Sequence, residues 1–325
     1  MADIQSAAAP RELGRAAAGR GSGTSKAGHR DRSKGKGAAA VLLAPFFLLF
    51  ALATLAPIGY ALWLSLFREH RSGLGFGPAT TVFSGLANYG TALADPVFRS
   101  GFLHVAVFAL IYVPLMLAGS LLVALLLDSA LARAKRFFQL TLFLPHVIPG
   151  IIAAIIWLYL YTPGVSPIVS ALRSGGIGFD LGSTTTAVPA MANIAIWEVL
   201  GYNMVIFYAA LQAIPRELLE AAVLDGASEL RASWSVKLPM IRSSVGLVGL
   251  FTAVGVMQLF QEPLLLNHSA PGAITADWTP NLYNYVQAFK NTDYGLSAAG
   301  SILLAAVCAG LSFAVTRISN PWRSA

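Results

Sequence analysis

Charge is scarce in this chain. Asp, Glu, Lys and Arg make up 11% of its 325 residues, where an ordinary soluble domain carries about 25%. With 56% of the residues hydrophobic, the deficit points to lipid as part of the solvent and argues against a single soluble body. Cysteine is nearly absent too. Cys308 stands alone inside an apolar stretch, so no disulfide closes within the chain and no cysteine-based metal site exists. The chain lacks G-x-x-x-x-G-K-[ST], and with it a loop to cradle nucleotide phosphates. It also lacks H-E-x-x-H and the G-x-S-x-G elbow, which weighs against an intramembrane hydrolase. The net charge is +7, yet no basic stripe interleaves with aromatics in the way that tracks a phosphate backbone, so nucleic acid is not an expected partner.

Long apolar runs are what the chain has instead. A hydrocarbon core about 30 Å thick needs roughly 20 apolar residues in a helix. Six runs qualify, at 38–67, 102–127, 137–161, 187–212, 243–262 and 295–316. Pro45, Pro57, Pro114, Pro145 and Pro149 fall inside them, which is tolerable where neighbouring helices satisfy the freed carbonyls. The first run is too long for a signal-peptide core and lacks a small-residue cleavage site, so it reads as a retained helix. Residues 1–37 before it are rich in Ala, Gly, Arg and Ser and lack apolar periodicity. They read as a disordered basic tail that lies near anionic lipid.

Orientation follows from the basic residues. With the N-terminus inside, 17 of the 22 Lys and Arg lie on the cytoplasmic side. Only Arg68, Arg71, Arg99, Arg173 and Lys290 fall in the outer loops. The positive-inside rule therefore places both termini in the cytoplasm. The expected organisation is a tail at 1–37, a first span at 38–67, an outer loop at 68–101, a core of five spans at 102–316 and a C-terminus at 317–325. No internal repeat is visible.

The most informative stretch is the cytoplasmic segment 213–242 between spans four and five. Pro215 suits the first turn of a short helix over Arg216–Asp225. Gly226 supplies a permissive turn, Ser228 can cap a second helix toward Lys237, and Leu238-Pro239 is expected to stop that helix before the next span. Two short helices at an angle make a shape that docks in a groove of another protein. Ala221 and Ala222 permit close approach, and Glu220 offers a carboxylate to a basic group.

Glu220, Ala221, Ala222, Asp225, Gly226, Ala227, Trp234, Leu238 and Pro239 together resemble the EAA motif of type I ABC-importer permeases, in the form of the carbohydrate uptake family. Two positions depart from the usual pattern, with Trp234 in place of Phe and Ser243 in place of a frequent Pro. Further stretches resemble the MalF-type subunit: Pro57–Phe67, Gly85–Tyr89 with Asp95–Phe98, Phe143–Pro149 with Trp157, Gly201–Phe207 and Tyr294–Ala299. The stretch Leu266–Pro271 replaces the family's Gly-rich sequence after span five.

The resemblance implies an all-α permease bundle of six transmembrane helices in a prokaryotic inner membrane. Its partners would be a MalG-type permease, two cytoplasmic ATPase subunits that bind the ATP and Mg, and an extracytoplasmic binding protein. The motif would be the coupling segment that follows the ATPases. No cofactor is expected on this chain. The solute would be a sugar or related hydroxylated molecule, with a glycerophosphodiester or polyol as the alternative. An ion-coupled secondary transporter is the rival class, but it would ordinarily carry several intramembrane acids, and Glu198 is nearly alone.

An ionisable residue inside a span should face protein or water. Glu198 and Tyr202 share a face of span four, and Gln258, Gln261 and Glu262 are spaced to share one of span five. Glu198, Tyr202 and Gln258 are therefore expected to line a central solute path. The alternative is interhelical hydrogen bonding. His104 and His146, near span ends, read as structural or interfacial.

Overall fold

The computed structural model describes residues 31–70, 80–129 and 131–319. Most of the basic tail, Arg71 and the last six residues lie outside them. Two compact units are distinguished, Met1–Pro57 and Ile58–Ala325.

In the first unit, helix α1 (Asp31–Phe50) begins seven residues ahead of the expected start at 38. Once the alanine-rich run at 38–40 is helical, each further residue adds one backbone bond at little cost, so the helix extends backward into the tail. A π turn at Ala51–Leu55 follows, in which the Ala56 N–H donates to the Ala51 carbonyl. Pro57 comes next. Its missing N–H falls where the wider turn has already offset the ladder, so the apolar run continues without a break.

The second unit begins within α2 (Ala56–Ser65), which leads to an antiparallel hairpin, β1 (Phe67–His70) and β2 (Thr80–Phe83), with Phe67 opposite Phe83. This hairpin is a local departure from a fold that is otherwise helical among the described residues. Thr80, Thr81, Val82 and Phe83 are β-branched or aromatic and suit a pleated surface. Then come α3 (Ala87–Ala94) and α4 (Pro96–Asp128). Helix α4 starts with Pro96 at its first position and Asp95 as cap, the carboxylate accepting the Val97 N–H at 2.8 Å. At 33 residues it runs about 50 Å, beyond the expected 102–127. Its buried residues, from Phe98 through Val105, Phe108, Tyr112 and Met116 to Ala124, recur every three or four positions and form one stripe. Leu103, Leu110 and Leu122 on other faces are exposed, as a lipid-facing surface requires.

The third expected span is not one straight helix. It is split into α5 (Lys135–Val147) and α6 (Gly150–Tyr161), bent by 98°. Ile148 precedes Pro149 and is pushed to an extended conformation (φ −76°, ψ 130°), and Pro149 has no N–H to continue the ladder. Pro45, Pro114 and Pro145 sit inside their helices.

Helix α7 (Pro167–Ser174) lies in the loop before α8 (Thr184–Gln212), the span that packs most extensively on α4. The remaining helices are α9 (Arg216–Leu224), α10 (Glu229–Ala232), α11 (Leu238–Met257), α12 (Gln261–Ser269), α13 (Pro280–Phe289) and α14 (Tyr294–Ser319). Helix α10 continues through a second π turn, Ser233–Lys237, into α11. Leu238-Pro239 does not stop it, contrary to expectation. The Leu238 N–H reaches back to the Ser233 carbonyl, and Pro239 follows the π turn just as Pro57 follows the first. The fifth span ends at Met257, short of the expected 262, and Gln261 and Glu262 open a separate helix.

Among the described residues, five helices are long and apolar enough to cross a membrane, or six if the bent pair α5–α6 counts as one. Core clusters gather around α4, α8 and α6, around the α9 end of α4, α8 and α11, and where α3, α13 and α14 meet the start of α4. In the last of these, Tyr283 donates to the Asp95 carboxylate at 2.7 Å. Burial and that carboxylate both raise the Tyr283 pKa, which keeps its hydroxyl a donor.

Candidate functional site

Two places carry the expected site residues. The first is the helix–turn–helix from Arg216 to Pro239. Helix α9 ends in a Schellman closure: the Gly226 N–H donates to the Val223 carbonyl and the Ala227 N–H to the Ala222 carbonyl. Gly226 has φ +80°, a left-handed conformation that favours glycine. The Ser228 hydroxyl then accepts the Arg231 N–H at 3.3 Å and caps α10. Thus Glu220, Ala221, Ala222, Asp225, Gly226 and Ala227 stand on the first arm and its turn, with Trp234, Leu238 and Pro239 on the second. Glu220, Ala221, Asp225, Gly226, Trp234 and Pro239 are exposed. Exposed Val223, Leu224 and Leu230 add an apolar surface that water alone does not favour.

Sequence reasoning missed how this element is fastened. Lys237, in the π turn, is buried and donates to Asp128 Oδ2 at the end of α4 (2.5 Å). Gln212, the last residue of α8, donates to Asp128 Oδ1 at 2.6 Å. One carboxylate therefore ties α4, α8 and the root of α11 together. The available signal was a single acid closing an otherwise apolar span.

The second place is a cavity of about 250 Å³ among α4, α8, α11 and α12. Glu198 and Tyr202 line it, while Gln258 does not. The helix has ended by Gln258 (φ −97°, ψ 10°), and its carbonyl instead accepts from Asn281 at 3.2 Å. Gln258 therefore does not share a helical face with Gln261 and Glu262. The wall that Gln258 was expected to form is supplied by Thr252, Gly255, Val256 and Glu262. Asn203 also lines the cavity. It is 4% exposed, and its Nδ2 has no hydrogen-bond partner. Sequence reasoning did not single it out; the available signal was a polar residue inside an apolar run.

The cavity sits beside the bend in the third span. A side chain at Gly150, the first residue of α6, would come within 3.1 Å of Glu198 Oε1 and would strike Gln261. His146, near the end of α5, stacks on Tyr202 with ring centroids 4.6 Å apart. His104 stacks on Trp278 and meets the Trp278 carbonyl at 3.0 Å, away from the cavity lining. Among the described residues no cluster of His, Cys, Asp or Glu is arranged to hold a metal.

Comparison with known proteins gives concordant matches. A family model described as "Binding-protein-dependent transport system inner membrane component" matches residues 129–323. The sn-glycerol-3-phosphate transport system permease protein UgpA of Rhizobium meliloti (strain 1021) is 29% identical over 275 residues, covering 84% of this chain and 91% of that protein. The diacetylchitobiose uptake system permease protein NgcF of Streptomyces coelicolor is 30% identical over 292 residues, covering 84% and 80%. In fold, the chain is similar to one in a crystal structure of a bacterial ABC transporter involved in the import of the acidic polysaccharide alginate. The TM-score is 0.75 at 18% identity, covering 89% of this chain and 97% of that one.

Proposed function

From a chain that belongs to the family of binding-protein-dependent transport system inner membrane components, and is thus a multi-pass permease subunit of an ABC importer, we propose the following working parts. Six spans cross the membrane, α5 and α6 forming one bent span, with both termini in the cytoplasm. The basic loops between spans two and three and between spans four and five support that orientation. The chain pairs with a second, MalG-type permease. Two cytoplasmic ATPase subunits bind the ATP and Mg, and an extracytoplasmic binding protein delivers the solute.

Glu220, Ala221, Ala222, Asp225, Gly226, Ala227, Trp234, Leu238 and Pro239 form the contact with the ATPases. The observation that carries this assignment is the exposed helix–turn–helix whose second arm runs without a break into a membrane span. A push on α9 and α10 is thereby delivered to α11 as rigid-body motion, and Asp128 passes it to α4 and α8. The spans then alternate between outward and inward access. Glu198, Tyr202 and Asn203 line the solute path, with Thr252, Gly255, Val256 and Glu262 as the wall once expected from Gln258. The relatives named for diacetylchitobiose and sn-glycerol-3-phosphate support a sugar or a related hydroxylated solute as cargo.

The test is made on the assembled importer. Glu220→Lys places a cation where a carboxylate is offered to the partner, and Gly226→Pro removes both the left-handed turn and the N–H of the closure. Each variant is expected to lower solute uptake at least tenfold while the subunit still inserts in the membrane. ATP turnover should no longer respond to the loaded binding protein. Wild-type uptake and stimulated turnover in both variants would refute the assignment.

A further inference from the structure

A groove lies apart from the cavity at Glu198, where the end of α4 meets the start of α5. It encloses about 270 Å³ and shares no lining residue with that cavity. Leu126 and Leu127 of α4 and Phe138 and Leu142 of α5 form its walls. Leu126 is 59% exposed and Phe138 49%, so the groove is open at the surface of the subunit. An apolar trough between membrane helices suits a hydrocarbon chain.

One end of the groove is cationic. Arg133, in the link between the two helices, is the one charged residue that lines it. The Lys135 ammonium stands at the same end, donating to the Asp128 carbonyl at 3.5 Å. The Asp128 carboxylate is committed elsewhere, its two oxygens being engaged by Lys237 and Gln212. Among the described residues no other acid pairs with Arg133 or Lys135. Helix α5 adds to the positive potential, because it starts at Lys135 with no side-chain cap and no acid in its first turn. Basic groups beside an apolar trough are the means by which pockets between membrane helices hold anionic headgroups.

We propose that this groove binds an anionic phospholipid. One acyl chain lies along Leu126, Phe138 and Leu142, while Arg133 and Lys135 hold the phosphate end. A protein helix pressed into the same trough would leave Arg133 desolvated unless it brought an acid. A phospholipid supplies chain and anion in one molecule. The bound lipid braces the end of α4 beside the point where Asp128 fastens it to α8 and the root of α11.

The test is made on the complete importer in phosphatidylcholine nanodiscs. These carry a small share of a phospholipid with a photoreactive diazirine in one acyl chain, its headgroup either phosphatidylglycerol or phosphatidylcholine. Labelled positions are located by mass spectrometry, and exposed Leu110, farther along α4, serves as the reference for ordinary lipid. Labelling at Phe138–Leu142 relative to Leu110 is expected to be at least fivefold higher with phosphatidylglycerol. The preference should persist in Arg133→Lys and fall within twofold of unity in Arg133→Gln/Lys135→Gln. A wild-type preference within twofold of unity overturns the proposal, and it does so even where the double variant fails to assemble. A preference that the double variant keeps overturns it too. Labelling at Leu110 with none in the groove from either lipid would mean that protein covers the trough, which also overturns it.

Discussion

At Asp128, the last residue of α4, a single carboxylate meets a lysine from the π turn between α10 and α11 and an amide from the end of α8. Lys237 is buried, so its charge depends on this partner. Removing one member of a buried pair costs about 3–5 kcal/mol, because the survivor is left uncompensated, whereas replacing both with apolar groups is often neutral. Asp128→Ala is therefore expected to destabilise the subunit by about that amount. The double variant Asp128→Leu/Lys237→Met should recover most of the loss, and thermal unfolding of the detergent-purified complex measures both. Transport should not recover with stability, since the apolar pair no longer fixes the direction in which α11 and α4 pull. Recovery of uptake along with stability would reduce Asp128 to a packing role.

Among the elements, α5 and α8 approach each other closely. At Gly201 an added Cβ would overlap the Leu142 carbonyl and crowd the Phe143 backbone, so the two helices meet there backbone to backbone. Because backbone cannot swing aside, Gly201→Ala is expected to cost about 2–3 kcal/mol. In thermal unfolding this reads as a midpoint several degrees lower. An unchanged midpoint would mean that α5 is free to shift away. The same contact holds the α5 end of the 98° bend at a fixed place, and with it His146 against Tyr202 at the edge of the cavity. The paired device of a π turn followed by proline has a similar logic. It allows Pro57 and Pro239 to sit within continuous helical runs, so that α10 and α11 form one unbroken helix.

For the whole molecule, the proposed orientation places the helix–turn–helix at 216–239 on the same side as both termini. Fusing green fluorescent protein after Ala325 should give fluorescent cells, and alkaline phosphatase at that site should be inactive. Alkaline phosphatase inserted after Ser174, in the loop that carries α7, should be active. The opposite pattern would turn the coupling segment outward, and the assignment of an ATPase contact would fail with it. With the tail set aside, the proposed inner segments still carry nine basic residues against five in the outer loops, which biases insertion toward the expected result.

By itself the sequence determined the class of solvent and the approximate positions of the spans and of the helix–turn–helix at 216–239. Those depend on local quantities: apolar run length, the placement of Gly226 and Ser228, and a motif confined to about twenty neighbouring positions. It also pointed to Glu198 and Tyr202, since polar groups in an apolar run must face something polar. Only the tertiary structure decided that Ile148-Pro149 bends the third span by 98°, that the fifth ends at Met257, and that Glu262 and Asn203 belong to the cavity while Gln258 does not. It alone brought Asp128 to Lys237 across more than a hundred positions of chain. Those outcomes rest on which helices lie side by side, and a period of 3.6 residues fixes the face of a helix but not its neighbour.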